Sequence, residues 1–270
     1  MTIVVTGATG NVGRSLVEEL AAAGHRVRAV TRDPAGARFP EGVEAVAGDF
    51  ADPASLERAL DGATALHLMT TYGPKNETVP GSAQLASAAL AAGVKRVSLL
   101  WNGYRGAVEE AFAALNAVEL QPGEFMSNAL TWAEEIRESG TVSEPFAHIG
   151  HAPVHEADIA AVAAVALTTD ALAGQQIPLT GPGVVTVPEQ VAAIAAAAGR
   201  DVAFTALNED QGRLRMQALG YDEGAIDYVM GWRADPPGWT LRPSDTVELV
   251  TGRPARTFDD WAREHADAFR

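Results

Sequence analysis

The chain has 270 residues, of which 47% are hydrophobic, a formal net charge of −15 and no cysteine. This composition provides a core but excludes disulfides, catalytic thiolates and zinc–thiolate sites, and the acidity argues against nucleic acid and anionic membranes as partners. We expect a cytoplasmic protein, since no leader pattern precedes the first predicted strand and the apolar segments are too short to span a bilayer.

Up to about residue 122 the apolar pattern alternates between short β-branched runs and amphipathic stretches. Such an alternation predicts a parallel sheet with helical crossovers. The predicted strands are 3–6, 26–31, 43–47, 63–69, 96–101 and 117–121. The predicted helices between them are 13–23, 53–60, 82–92 and 107–115.

The pattern changes beyond residue 123. It predicts a helix at 125–138, a loop containing Gly, Pro and His, a helix at 156–167 and a strand at 176–179. A further helix is predicted to begin at Thr186 and Glu189, which have the spacing of a capping box. A final helix is predicted at 258–269. We therefore expect an α/β fold, a Rossmann-type doubly wound parallel sheet with a smaller α/β C-terminal lobe. Residues 1–125 would form the core and 126–270 mostly the lobe, with some chain returning to the core around 141–180.

A glycine-rich turn, TGATGNVG, joins the first predicted strand to the first predicted helix. This order of strand, turn and helix is the context in which glycines bind a dinucleotide. Gly7 permits the tight turn, Gly10 lets the backbone approach a pyrophosphate, and Gly13 allows the helix to pack closely. The helix N-terminus offers N–H groups to the phosphates. The sequence therefore predicts a nucleotide-cofactor site in the core.

Two charged positions bear on which dinucleotide binds. Proteins that bind NAD usually place an acidic residue about 20 positions after the glycine turn, whereas Arg32 stands there in this chain. A guanidinium suits a 2′-phosphate, so we expect NADP(H) in preference to NAD(H), although Asp33 is adjacent and Arg32 is alternatively a solvated charge at a strand end. Asp49, after the third strand, is a candidate acceptor for the adenine amino group, or else a turn aspartate.

Three further strand ends lie at 69–72, 101–104 and 121–126. Ligands of open α/β sheets lie beyond the carboxyl ends of the strands. We therefore expect these loops to surround the nicotinamide and a small-molecule substrate.

These segments together resemble a known family. The chain resembles the NmrA-like family, atypical short-chain dehydrogenases that bind NAD(P), in the segments GATGNVGR, RAVTRDP, GDFADPASLERAL, AAGVKRVSLL, LQPGEFMSNAL and VHEADIAAVAAVAL. The segment LTGPGVVTVPEQVAAIAAAAGR is similar to the C-terminal lobe of that family. The resemblance implies cofactor contacts by Gly7, Thr9, Gly10, Asn11, Val12, Gly13, Arg32, Asp49, Phe50, Met69, Thr70, Thr71, Leu100, Pro122, Gly123 and Phe125.

The chain departs from catalytic short-chain dehydrogenases at their acid–base pair. Those enzymes carry a serine and a Tyr-x-x-x-Lys, whose lysine lowers the pKa of the tyrosine. Here Trp101 and Asn102 stand where the serine is expected, Val108 stands four positions after Tyr104, and lysine occurs only at positions 75 and 95. The usual pair is therefore missing.

Other side chains are candidates for the chemistry. The predicted catalytic set is Tyr104, Glu124, Trp101 and His155, with Tyr72, His148 and His151 as further candidates for proton transfer. The spacing of the three histidines suggests a metal site, but no accompanying carboxylate pattern supports one, so we expect no metal. Trp101 would narrow the pocket or stack on a flat substrate.

The family resemblance covers both reductases and redox-sensing regulators without enzymatic activity. We expect an NADPH-dependent oxidoreductase that transfers a hydride to a small carbonyl, quinone, imine or conjugated substrate without the Tyr–Lys pair. The alternatives are a non-catalytic NADP(H)-sensing protein and a non-redox lyase, isomerase or cyclase on the same scaffold. An oligomer is compatible with the sequence.

Overall fold

The computed structural model describes residues 1–73, 77–101, 103 and 105–270. The chain forms two compact units. The first consists of Met1–Pro122, Glu156–Leu179 and Thr246–Arg253, and the second of Gly123–His155, Thr180–Asp245 and Pro254–Arg270. No helix of the described residues has the length and apolarity that a bilayer crossing requires.

The described residues contain eleven strands. They are β1 (Thr2–Val5), β2 (Arg26–Thr31), β3 (Glu44–Ala47), β4 (Ala65–Met69), β5 (Thr71–Tyr72), β6 (Glu77–Thr78), β7 (Arg96–Leu100), β8 (Val118–Pro122), β9 (Thr141–Pro145), β10 (Gln176–Leu179) and β11 (Ala203–Leu207).

The described α-helices also number eleven. They are α1 (Asn11–Ala22), α2 (Pro53–Ala59), α3 (Ser82–Ala91), α4 (Ala107–Phe112), α5 (Ala133–Ser139), α6 (Glu156–Thr168), α7 (Val187–Ala198), α8 (Glu209–Ala218), α9 (Glu223–Ala234), α10 (Thr246–Thr251) and α11 (Phe258–Glu264). Shorter 3-10 segments cover Ala113–Leu115, Met126–Trp132 and Ala266–Phe269.

The first unit is built on a seven-stranded sheet in the order β10-β8-β7-β4-β1-β2-β3. Every neighbouring pair is parallel, and Ile3 of β1 lies in register between Val27 and Ala65. The strand order reverses between β1 and β4, which is the switch point at which ligands of such sheets bind. The predicted α/β fold with a Rossmann-type parallel sheet is confirmed.

Helices cover both faces of this sheet. On one face α2, α3 and α4 share a buried cluster with the strands, in which Leu56, Leu85 and Phe112 accompany Leu66 and Leu99. On the other face α1 and α6 pack along each other, and α6 also crosses β4, β7 and β8. Burial of apolar area on both faces is the main stabilising contribution to such a sheet.

The second unit has its own core and a parallel pair of strands, β9 and β11. Its buried cluster includes Trp132, Ile136, Ile194, Trp261 and Phe269. The predicted capping box of α7 is present, since the Thr186 hydroxyl accepts a hydrogen bond from the Glu189 amide at 3.4 Å and Glu189 accepts one from the Thr186 amide at 2.7 Å.

Sequence periodicity missed several elements, chiefly in the second unit. The predicted helix at 125–138 is a 3-10 segment, Met126–Trp132, followed by α5. The predicted loop after it contains β9, which is short, follows Gly140 in the left-handed region and ends at Pro145. Helix α8 buries only Gly212, so it has no apolar stripe to detect. The chain that returns to the first unit consists of 156–179, which lies within the predicted return around 141–180, and of 246–253.

Candidate functional site

The glycine turn lies at the carboxyl end of β1 and is closed to side chains. Gly7 has φ +61°, and a Cβ there would lie 2.4 Å from the Met69 sulfur. A Cβ on Gly13 would lie 2.1 Å from the Gly7 carbonyl oxygen, so the helix packs directly on the turn. Only glycine at these two positions keeps the backbone path.

The N-terminus of α1 follows the turn at once. The Gly10 amide donates to the Gly7 carbonyl at 2.9 Å, and the first helical hydrogen bond runs from the Arg14 amide to the Gly10 carbonyl at 2.9 Å. The amides of Asn11, Val12 and Gly13 therefore precede the first intrahelical bond. Such amides, at the positive end of the helix dipole, are the groups that bind phosphate.

A cavity of about 990 Å³ opens beside this turn within the first unit. It brings together seven of the predicted cofactor contacts, namely Gly7, Thr9, Gly10, Arg32, Asp49, Phe50 and Met69. Its wall also contains residues that were not among those predicted contacts, namely Thr6, Arg14, Val30, Thr31, Asp33, Gly36, Ala37, Arg38, Gly48, Ala51, Leu56, Tyr72, Gly73 and Glu77.

Three arginines line the cavity from different positions in the chain. Arg14 lies in the first turn of α1, Arg32 directly follows β2, and Arg38 lies in the loop beyond it. All three are exposed, and within the described part of the chain none of them forms an ion pair. Arg14 was identifiable in the sequence, because it follows the last glycine of the turn. Arg38 carried no local signal.

The two aspartates on the cavity wall are both engaged in turns. Asp33 accepts a hydrogen bond from the Gly36 amide through Oδ1 at 3.0 Å. Asp49 accepts one from the Ala51 amide at 2.9 Å, while its own amide donates to the Ser55 hydroxyl at 2.9 Å. Asp49 is thus a turn aspartate in this structure, which was one of its two predicted roles.

Two aromatic rings also border the cavity. Phe50 follows β3 and Tyr72 belongs to β5, and their ring centroids are 5.9 Å apart with planes tilted by 32°. Together they present an apolar aromatic surface to the cavity, of the kind on which a planar ring system packs.

The other predicted cofactor contacts do not line this cavity. Asn11, Val12 and Gly13 form the first turn of α1, Thr71 pairs with Thr78 in the β5–β6 hairpin, and Pro122 ends β8.

Thr70 and Leu100 join two strand ends instead. The Thr70 hydroxyl and amide both donate to the Leu100 carbonyl, each at 3.2 Å. They connect the chain after β4 to the end of β7.

The predicted catalytic residues have separate surroundings. Trp101 donates its amide to the Leu120 carbonyl at 3.0 Å, and its buried indole N–H meets no acceptor among the described residues. Tyr104 lies outside the described residues. Glu124 and His155 both belong to the second unit.

Glu124 faces His151 in the second unit. Its Oε2 lies 3.5 Å from Nδ1 of the imidazole, and both atoms are enclosed without a hydrogen bond to any described residue. A cavity of about 20 Å³ borders both side chains, and Gln190 and Arg233 also line it. That volume holds about one water molecule. Sequence distance hid this pair, because each residue alone has the pattern of a loop.

The three closely spaced histidines point into different environments. His148 is exposed, and His151 faces Glu124. His155 is 2% exposed, with Nε2 3.2 Å from the Glu264 carboxylate. Within the described residues no three His, Asp or Glu side chains are grouped as a metal site.

Residues 1–121 match the model of the NmrA-like family. The chain is 36% identical over 286 residues to the NAD(P)H azoreductase of Xenophilus azovorans, with 99% of both chains covered. It is also 36% identical over 283 residues to the (4-alkanoyl-5-oxo-2,5-dihydrofuran-3-yl)methyl phosphate reductase of Streptomyces griseus, again with 99% of both covered.

Among solved structures, the fold resembles the NADPH-dependent quinone oxidoreductase QOR2 of Escherichia coli in its complex with NADPH. The TM-score is 0.76 at 22% identity, with 98% of this chain and 99% of that chain covered, and at this identity the likeness supports the fold alone. The relatives that are 36% identical over 99% of this chain, together with the family match over residues 1–121, show that the chain belongs to the NmrA-like family.

Proposed function

We propose that the protein is an NADPH-dependent reductase that acts on a small conjugated or carbonyl compound, such as an azo compound, a quinone, an imine or an enone. The observation that carries this proposal is the cavity beside the glycine turn, with its helix N-terminus and three arginines. The full-length relatives are named as reductases, which supports the same class of reaction.

The residues of the first unit fit the parts of a dinucleotide. The glycine turn and the amides at the start of α1 would hold the pyrophosphate, since a side chain at Gly7 or Gly13 would displace the turn that precedes these amides. Phe50 and Tyr72 would pack against the adenine. Arg32 would bind the 2′-phosphate, because a guanidinium forms charge-assisted, bidentate hydrogen bonds with phosphate oxygens.

The remaining predicted contacts extend this assignment along the strand ends. Met69, Thr70 and Thr71 would lie by the ribose of the nicotinamide half, as would Leu100. When bound, NADPH supplies a two-electron reductant.

Proton delivery distinguishes this protein from dehydrogenases with a Tyr–Lys pair. A quinone or azo compound that accepts a hydride becomes an anion that can take its proton from water, so positioning of the substrate would supply much of the rate enhancement. Among the predicted catalytic residues Glu124 stays a candidate for proton transfer, and its Oε2 lies 3.5 Å from Nδ1 of His151 within the second unit. Trp101, Tyr104 and His155 remain candidates for substrate contact.

The test is aerobic incubation with NADPH and a panel of azo dyes, quinones and enones, followed by NADPH absorbance. Substrate-dependent loss of absorbance is expected for at least one class. If none is seen, calorimetry with NADP and NADPH examines the alternative of a sensor, which must bind the two redox forms with different affinity. A non-redox enzyme would instead convert substrate without net consumption of cofactor.

A further inference from the structure

Asp33 occupies the region in which NAD-binding proteins usually carry a ribose-reading carboxylate, yet here its side chain faces its own loop. Its Oδ1 accepts a hydrogen bond from the Gly36 amide at 3.0 Å, and its carbonyl accepts one from the Ala37 amide at 3.2 Å. A Cβ on residue 36 would lie 2.3 Å from Oδ2 of Asp33, so glycine at this position leaves room for the carboxylate. The carboxylate therefore caps the turn from 33 to 37.

This turn ends next to Arg38, which lines the same cavity as Arg32. In the described residues neither guanidinium has a carboxylate partner. Two unpaired cations on one loop favour an anion of high charge density, because each can donate charge-assisted hydrogen bonds to phosphate oxygens. The second of these cations is carried by the residue that directly follows the capped turn.

We propose that Arg38 is a second residue that selects the 2′-phosphate of the cofactor, and that Asp33 is the positioning residue that holds Arg38 at the cavity. The proposal rests on the proposed function, since it deepens the choice of cofactor. The two possible roles of the Asp33 carboxylate predict opposite effects of its removal. If the carboxylate binds the ribose or repels the phosphate, its removal would strengthen binding of the 2′-phosphate. If the carboxylate caps the turn, its removal would weaken that binding.

The experiment is titration calorimetry with adenosine 2′,5′-bisphosphate and with 5′-AMP, which lacks the 2′-phosphate. Arg38→Gln and Asp33→Ala are each expected to weaken binding of the bisphosphate about tenfold and to leave the affinity for 5′-AMP within about twofold of the wild type. Tenfold is the loss in affinity that follows from removal of one hydrogen bond to a charged group. Asp33→Asn keeps the acceptor for Gly36 without the charge, so it is expected to bind the bisphosphate at least as well as the wild type. Arg26→Gln, at the far end of β2, is the matched control.

Two outcomes would overturn the proposal. Unchanged bisphosphate binding in Arg38→Gln would remove Arg38 from the site. Stronger binding in both Asp33 variants would make Asp33 a repelling charge rather than a cap. If the protein turns over no substrate of the panel but the bisphosphate binds as expected, only the proposed reductase function is contradicted. If the protein turns over substrate but bisphosphate binding does not depend on Arg38, only this inference is contradicted.

Discussion

Nδ1 of His67 lies 2.8 Å from the hydroxyl oxygen of Ser98, and both side chains are buried between adjacent strands of the central sheet. Burial lowers the pKa of His67 from 6.5 to about 4. The folded protein therefore holds this imidazole neutral over a pH range in which the unfolded chain binds a proton.

The contribution of His67 to stability is expected to be complete above pH 6.5 and to be lost as the pH falls toward 4. Between pH 6.5 and 4 the unfolded chain binds up to one proton more than the folded protein, and this sets the pH dependence of the unfolding free energy. The full loss of unfolding free energy is about 3 kcal/mol. Urea unfolding of the wild type and of His67→Gln at several pH values measures it, with the variant expected to show a shallower dependence. Equal slopes for the two proteins would contradict the assignment.

Gly13→Ala is expected to abolish dinucleotide binding and to lower the thermal midpoint. The added Cβ would lie 2.1 Å from the Gly7 carbonyl oxygen, so the helix must move off the turn. Gly231→Ala is a matched control in α9, where a Cβ meets nothing within 4 Å. It is expected to stabilise the protein by up to about 1 kcal/mol, the helix preference of alanine over glycine. Thermal unfolding and calorimetry with NADPH measure both effects. A Gly13→Ala variant with unchanged thermal midpoint and unchanged NADPH binding would refute the tight contact.

Arg32→Gln is expected to weaken binding of NADPH roughly tenfold and to leave the affinity for NADH within about twofold. The reason is that only NADPH carries the 2′-phosphate that a guanidinium selects. Arg26 is an exposed arginine at the start of β2 that does not line the cavity, so Arg26→Gln should leave both affinities unchanged. Fluorescence or calorimetric titration gives the two constants. A parallel loss for NADH and NADPH would show that Arg32 does not contact the 2′-phosphate.

Glu144 links two elements of the second unit. It accepts a hydrogen bond from the Trp132 indole at 2.8 Å and another from Arg233. Glu144→Ala is expected to cost about 2 to 3 kcal/mol of unfolding free energy, since it leaves a buried indole N–H and a guanidinium without acceptors.

Glu144→Gln keeps one acceptor oxygen for Trp132 and is therefore expected to cost about half as much. Urea denaturation of the three proteins, monitored by tryptophan fluorescence, compares the two variants. Equal losses would mean that the charge on Glu144, rather than its hydrogen bonds, carries the effect.

Much of the first unit could be predicted from sequence, because its signals are local. The strands at 26–31 and 176–179 have the predicted bounds, and the glycine turn lies between β1 and α1 as expected. Alternation of apolar residues acts over a few residues, as does the capping position Thr186 in the second unit, so both signals are visible without the fold. In the second unit α8 has no apolar stripe, and there the same method found nothing.

The sequence by itself determined the sheet of the first unit, the glycine turn and an arginine at the end of β2. Only the tertiary structure decided that Arg14, Arg32 and Arg38 share one cavity, that Asp33 caps its own turn and that His151 faces Glu124. The physical reason is that backbone conformation follows from near neighbours along the chain. The partner of a side chain, in contrast, depends on how distant segments pack, and the pattern of either segment alone does not contain that information.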